Sequence, residues 1–143
     1  MKKIDLQIAK KNLLNHTICL CKDATCLFSD KKGISPMMDF INDNIDLNGY
    51  SVADLIVGKA VAFLFVKCNI KNVYAKVLSK SGKEILDKYH IYYEYETITE
   101  KIINREGNDI CPMEKAVLNS NDINEAYELL KNKLDSLKKL PKD

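Results

Sequence analysis

The sequence predicts an α/β fold: a three-layer α/β/α sandwich around a mixed sheet of four or five strands. Two observations predict it. A short hairpin lies early in the chain, and strand-like and helix-like segments alternate after it. Hairpin strands pair antiparallel, whereas strands joined through a helix pair parallel, so one sheet must hold both kinds and helices must cover its faces. The chain has 143 residues, 46% apolar and 29% charged. That is ordinary globular composition and suits one domain over residues 1–143.

The elements follow in order. Residues 4–14 read as a helix, with Leu6, Ala9 and Leu13 on one face. Residues 17–22 and 25–29 read as strands across the turn at Lys22-Asp23-Ala24, with Ile18 and Leu20 opposite in direction to Cys19 and Cys21. Lys31-Lys32-Gly33 is a loop, and Ser35-Pro36 opens a short helix. Asn48-Gly49 is a turn. Ser51-Val52-Ala53-Asp54 then resembles a capping box, and Val52 to about Lys67 reads as a helix apolar on nearly every side. Residues 72–78 form a strand, and Ser81-Gly82-Lys83 leads a helix to about Tyr89. The alternation of residues 91–96 suggests a strand with one less-buried face. A fifth strand is expected near Ile102-Ile103. Cys111-Pro112 starts another short helix, and residues 122–138 form the last, with Ile123, Ala126, Tyr127, Leu130, Leu134 and Leu137 on one stripe.

Composition excludes some functions. The formal net charge is +2 with no dense basic run, which argues against nucleic acid as a partner. The basic end, Lys138 to Lys142, reads as a solvated tail. The charged start lacks a signal-peptide core, and the apolar stretch Leu55–Val66 is too short for a bilayer and is interrupted by Lys59. A cytoplasmic protein is expected. The five cysteines are odd in number, so free thiols in a reducing compartment are expected. Cys19, Cys21 and Cys26 have no recognisable zinc spacing, so packing is their expected role, and no metal or cofactor is predicted.

Specific motifs carry a resemblance. The segments Ser51-Val52-Ala53-Asp54, Val57-Gly58-Lys59-Ala60, Asn104-Arg105-Glu106-Gly107 and Cys111-Pro112-Met113-Glu114-Lys115-Ala116-Val117 resemble the family called domain of unknown function 1893 (DUF1893) over nearly the whole chain. The resemblance implies a cytidine-deaminase-like fold and no established activity. Zinc deaminases carry His (or Cys)-x-Glu on a buried helix and Pro-Cys-x-x-Cys at the start of the next. Here the first motif reads Val52-Ala53-Asp54, and the segment after the next strand reads Ser79-Lys80-Ser81-Gly82. All three expected ligands are missing, which argues against zinc-dependent deamination.

Four residues stand out, each with a plainer alternative. Lys59 is the only charge in an apolar segment. It either snorkels to the surface or points into a cleft with a partner. Asp54 either assists proton transfer or caps a helix start. Cys111, at a helix start with Glu114 three residues on, is either a reactive thiol or a packed small residue. Arg105 is the only arginine beside 21 lysines. It either holds a carboxylate or phosphate through its planar fork or makes a loop salt bridge. The leading expectation is binding of a small anionic or nucleotide-like ligand, with Lys59 and Asp54 at one cleft closed by Asn104, Arg105, Cys111 and Glu114. One alternative is a non-zinc enzyme using Cys111 as nucleophile or redox thiol, assisted by Lys59 or Asp54. Another is an assembly subunit, such as a homo-oligomer.

Overall fold

The computed structural model describes residues 3–104 and 106–138. Arg105 and the tail beyond Lys138 lie outside the described residues. The first helix, α1 (Ile4–Asn12), leads into β1 (Ile18–Lys22) and β2 (Thr25–Ser29). Asp23 and Ala24 between these strands both have positive φ, 48° and 71°. This two-residue turn matches the right-handed twist of a hairpin. The hairpin is therefore where the alternation places it.

After α2 (Ser35–Asn42) comes β3 (Ser51–Val57), then α3 (Lys59–Lys67), β4 (Asn72–Ser79), α4 (Lys80–Lys88) and β5 (Tyr92–Thr99). The chain ends with α5 (Pro112–Ala116) and α6 (Ile123–Lys138). The five strands lie in the order β2-β1-β3-β4-β5. β1 pairs antiparallel with β2 and β3, while β3, β4 and β5 pair in parallel. The sheet is mixed, as predicted.

Two expectations about this region are corrected. Residues 51–57 are a strand, not the first half of a helix reaching Lys67. β3 is the middle strand, and Ser51 through Asp54 are all buried. A strand covered on both faces is apolar at successive positions, and such a run cannot be told from a buried helix by periodicity. The fifth strand is therefore β3, not Ile102-Ile103. At that second place the chain makes one isolated antiparallel bridge, Ile103 to Ile110.

Alternate strand residues enter two separate apolar clusters. Ile18, Leu20, Val52, Val73 and Ala75 pack with Met37 and Met38 of α2, Phe63 and Phe65 of α3, Leu86 of α4 and Leu130 of α6. Cys19, Cys21, Ala53 and Tyr74 pack instead with Leu6, Ala9 and Leu13, the α1 face expected from its spacing. On α6 the stripe is real but graded: Ala126 and Leu130 are fully covered, while Leu137 is exposed. No described helix is long and apolar enough to cross a membrane.

The cysteines also depart from expectation. Cys21 and Cys26 face each other across β1 and β2 and are joined by a disulfide, with Cα atoms 4.2 Å apart. Strand pairing brings the two Cα atoms together, and odd cysteine number could not reveal that. Cys19, Cys68 and Cys111 are free thiols.

Candidate functional site

The parallel strands β3 and β4 end side by side, Val57 opposite Leu78. Each then passes directly into a helix, so the starts of α3 and α4 share one edge of the sheet. Gly58 is the cap residue of α3. Ser79 caps α4, its hydroxyl accepting the Gly82 N–H at 3.0 Å. This cap lies two residues ahead of the Ser81 start expected from sequence. Gly58 and Gly82 let the two turns touch: a Cβ on Gly82 would lie 3.0 Å from the Gly58 carbonyl carbon.

Glu114 completes this junction. It is 6% exposed, and its carboxylate accepts N–H groups from Lys59 at 2.9 Å and Ala60 at 2.7 Å. These are orphan donors of the first turn of α3, at the positive end of the helix dipole. The sequence spacing suggested that Glu114 would serve its own helix as a capping-box residue. It instead caps α3 from α5. A Cβ on Gly58 would lie 2.2 Å from Glu114 Oε1 and 2.8 Å from Ile102 Cγ1, so only glycine leaves room for this carboxylate. Burial pushes the Glu114 carboxyl above its ordinary range, opposed by the two N–H bonds and the Lys59 charge.

Lys59 is the first residue of α3, not a mid-helix core residue. It is half-buried, and its ammonium donates to the Leu118 carbonyl at 2.9 Å. Among the described residues no carboxylate lies within ion-pair distance of Nζ. Its Nζ lies over the Phe63 ring, 5.8 Å from the centroid.

The other candidates sit differently. Asp54 is on β3, paired with Ile18 and Ala75, so it caps no helix. Burial pushes its carboxyl up to about 8, against weak stabilisation from the Ile56 N–H at 3.4 Å and that of Leu55. Asn104 organises its own loop: its carboxamide donates to Asn108 Oδ1 at 3.0 Å and accepts the Asn108 N–H at 3.2 Å. Cys111 precedes α5 as its cap residue, and its thiol makes no capping bond. Its backbone N–H donates to the Ile102 carbonyl at 2.8 Å, closing the 102–111 loop. Lys59 and Glu114 thus meet through the Lys59 N–H, with Cys111 on the approach to α5 and Asp54 within β3. Ser79, Gly82, Ile102 and the Leu118 carbonyl escaped the sequence reading. Ser79 carried a usable signal, a hydroxyl residue at a strand end before a helical run.

Beside Gly58 the space is taken by Glu114 and Ile102. Two surface depressions of about 320 Å³ and about 620 Å³ lie elsewhere, the first beside Ile41 and Cys68, the second beside Ile4 and Lys22. Exposed apolar side chains flank the junction in sequence: Ile56 and Leu118 are 53% and 56% exposed, and Ile103 is 50% exposed. Neither helix start offers zinc ligands: they read Gly58-Lys59-Ala60 and Ser79-Lys80-Ser81-Gly82. Among the described residues, the sulfur, imidazole and carboxylate groups that cluster in threes are those of Cys19, Cys21 and Cys26, on β1 and β2. The residues at this edge do not fit a deaminase zinc.

Fold and site together define a mixed α/β protein with a five-stranded sheet and a carboxylate-capped helix start at its edge. The family described as Domain of unknown function (DUF1893) matches residues 8–134, and the chain belongs to that family. The crystal structure of a DUF1893 family protein from Thermotoga maritima is similar at a TM-score of 0.81 and 24% identity, over 95% of this chain and 92% of that one. That likeness speaks to fold alone. No curated protein matches the chain.

Proposed function

We propose that this protein binds a small anionic metabolite with an apolar or planar body, nucleotide-like in chemistry, at the edge where α3 and α4 begin. The observation that carries this reading is the Lys59 ammonium. It stands half-exposed at a helix start, bonded to a carbonyl oxygen and to no described carboxylate. A cation in no close ion pair, with exposed Ile56, Ile103 and Leu118 flanking the junction in sequence, suits a ligand carrying both an anionic group and an apolar surface. Glu114 holds the N–H groups of the α3 start, so the ligand would meet Lys59 without displacing it. In open α/β sheets ligands collect beyond the carboxyl ends of parallel strands, which is where this edge lies; that support is fold-level analogy.

The same reading takes the fold to be a three-layer α/β/α sandwich of the deaminase-like kind, adapted to binding without zinc. It is supported by the two apolar clusters and the order of helix, hairpin, helix, strand, helix, strand.

A thermal-shift screen of nucleotides and other anionic metabolites tests the proposal. A ligand at 100 times its Kd stabilises the fold by about 2.7 kcal/mol and raises the melting temperature. The shift should vanish in Lys59→Gln, whose unliganded melting should stay near that of the parent. An equal shift in both proteins, or no shift with any anion, sinks the idea. A second reading, self-association through the exposed apolar residues, is favoured by the same side chains. It predicts a dimer in sedimentation that Leu118→Lys disperses.

A further inference from the structure

Far from the Lys59 edge, three sulfurs converge on the α1 side of the sheet. Cys19 and Cys21 are two residues apart on β1 and share a face, because side chains alternate along a strand. Cys26 on β2 pairs directly with Cys21. The Cys19 and Cys21 sulfurs are 3.6 Å apart, and all three lie within 4.8 Å of one another. Sulfurs ligating one metal at ~2.3 Å each stand ~4 Å apart; the Cys19–Cys21 pair is already close to that spacing, and opening the Cys21–Cys26 bond lets the third sulfur move to it. Cys19 and Cys21 are fully covered by an apolar cluster that includes Leu6, Ala9 and Tyr74. Cys26 is only half-buried, which leaves one side open for an ion to enter and for water to solvate the resulting charge.

We propose that Cys19, Cys21 and Cys26 form a three-thiolate site for Cu(I), available when the Cys21–Cys26 bridge is reduced. The choice of ion follows from the donors. Thiolates select soft ions such as Cu(I) and zinc. Structural zinc sites are four-coordinate, and the described residues offer no fourth sulfur, imidazole or carboxylate here. Cu(I) accepts three thiolates. The spacing Cys-x-Cys-x₄-Cys could not show this, because the third donor arrives through strand pairing rather than along one segment.

The bridge gates the site. A dithiol reductant becomes a disulfide and gives two electrons and two protons to the Cys21–Cys26 bond, which opens to two thiols. Cu(I) then replaces thiol protons, which pass to solvent.

The test is a Cu(I) titration of the full chain, reduced with a phosphine and freed of it without air, against a chromogenic Cu(I) chelator. One copper per chain should be retained, with a thiolate-to-copper absorption band in the ultraviolet. The unreduced protein should retain none. Cys19→Ser and Cys26→Ser should each weaken binding by more than the roughly 10–100-fold that outer-shell changes cost. Cys68→Ser and Cys111→Ser should not change it. Circular dichroism checks folding; should Cys19→Ser misfold, the half-buried Cys26→Ser decides. Loss of copper to the chelator overturns the proposal, as does equal retention by Cys26→Ser. Retention of zinc but not copper overturns the choice of ion.

Discussion

Gly58 shows how much of the site rests on a missing side chain. Its φ of −111° and ψ of −172° are extended backbone that any residue adopts, so what glycine supplies is space. The Cβ of Gly58→Ala would fall 2.2 Å from Glu114 Oε1, forcing the carboxylate off the Lys59 and Ala60 N–H groups. Overpacking of this kind costs ~1–3 kcal/mol, and urea unfolding should show a loss of at least that size. Combined with Glu114→Ala, the same substitution should cost less than it does alone, because the group it strikes is gone. Additive losses would show that the clash is not with Glu114. Sequence alone set Gly58 next to Lys59 in one motif and Glu114 at the same cleft. It could not join them, because 55 residues separate Lys59 from Glu114 and spacing speaks only for neighbours on one helix.

At the scale of elements, legibility follows burial. The β1–β2 hairpin was readable because its turn and its alternation are local. β3 was not, since a central strand loses the polar face that marks alternation, and its seven residues run into α3 with only Gly58 between. The Cys21–Cys26 bridge was hidden for the same reason as the Glu114 cap: both depend on pairing across elements. α5 is five residues long and has little helical stability of its own. Its value is to deliver Glu114 to α3, and substitution there should be felt as loss of a cap. Glu114→Ala leaves the Lys59 and Ala60 N–H groups without an acceptor, the second of them buried, at a cost of about 2–4 kcal/mol. Glu114→Gln keeps one oxygen acceptor and should fall between the two. Chemical denaturation of the three proteins checks the order, and equal losses for Gln and Ala would mean that the carboxylate's hydrogen bonds are not what matters.

For the whole molecule, the buried acids set how stability follows pH. The mixed five-stranded sheet was legible, but the acid at its centre was assigned to a helix start, where it would be solvated and ionised. In β3 Asp54 is 7% exposed, and burial raises its carboxyl from 3.8 to about 8. The unfolded chain therefore releases this proton at lower pH than the folded one. Stability from this group is fully present below pH 3.8 and is lost progressively as pH rises to about 8. The loss is on the order of 6 kcal/mol as an upper bound, at 1.36 kcal/mol per unit. Glu114, also raised by burial, acts in the same direction. Surface acids act the opposite way: Tyr93 and Lys83 hold Asp87 below its ordinary range, and Lys115 and the Ile110 N–H do so for Asp109. Their contribution is present above the ordinary carboxylate range and fades only as pH falls through their lowered values. The two windows adjoin rather than overlap, so the protein should be most stable in mild acid and weaken steadily toward pH 8. Asp54→Asn retains the shape of the side chain but has no proton to lose, and should flatten that decline while leaving the acid limb in place. Melting temperatures of both proteins from pH 3 to 9 measure this. Parallel curves would mean that Asp54 is ionised within the fold and that its charge is solvated or paired, contrary to its place at the middle of the sheet.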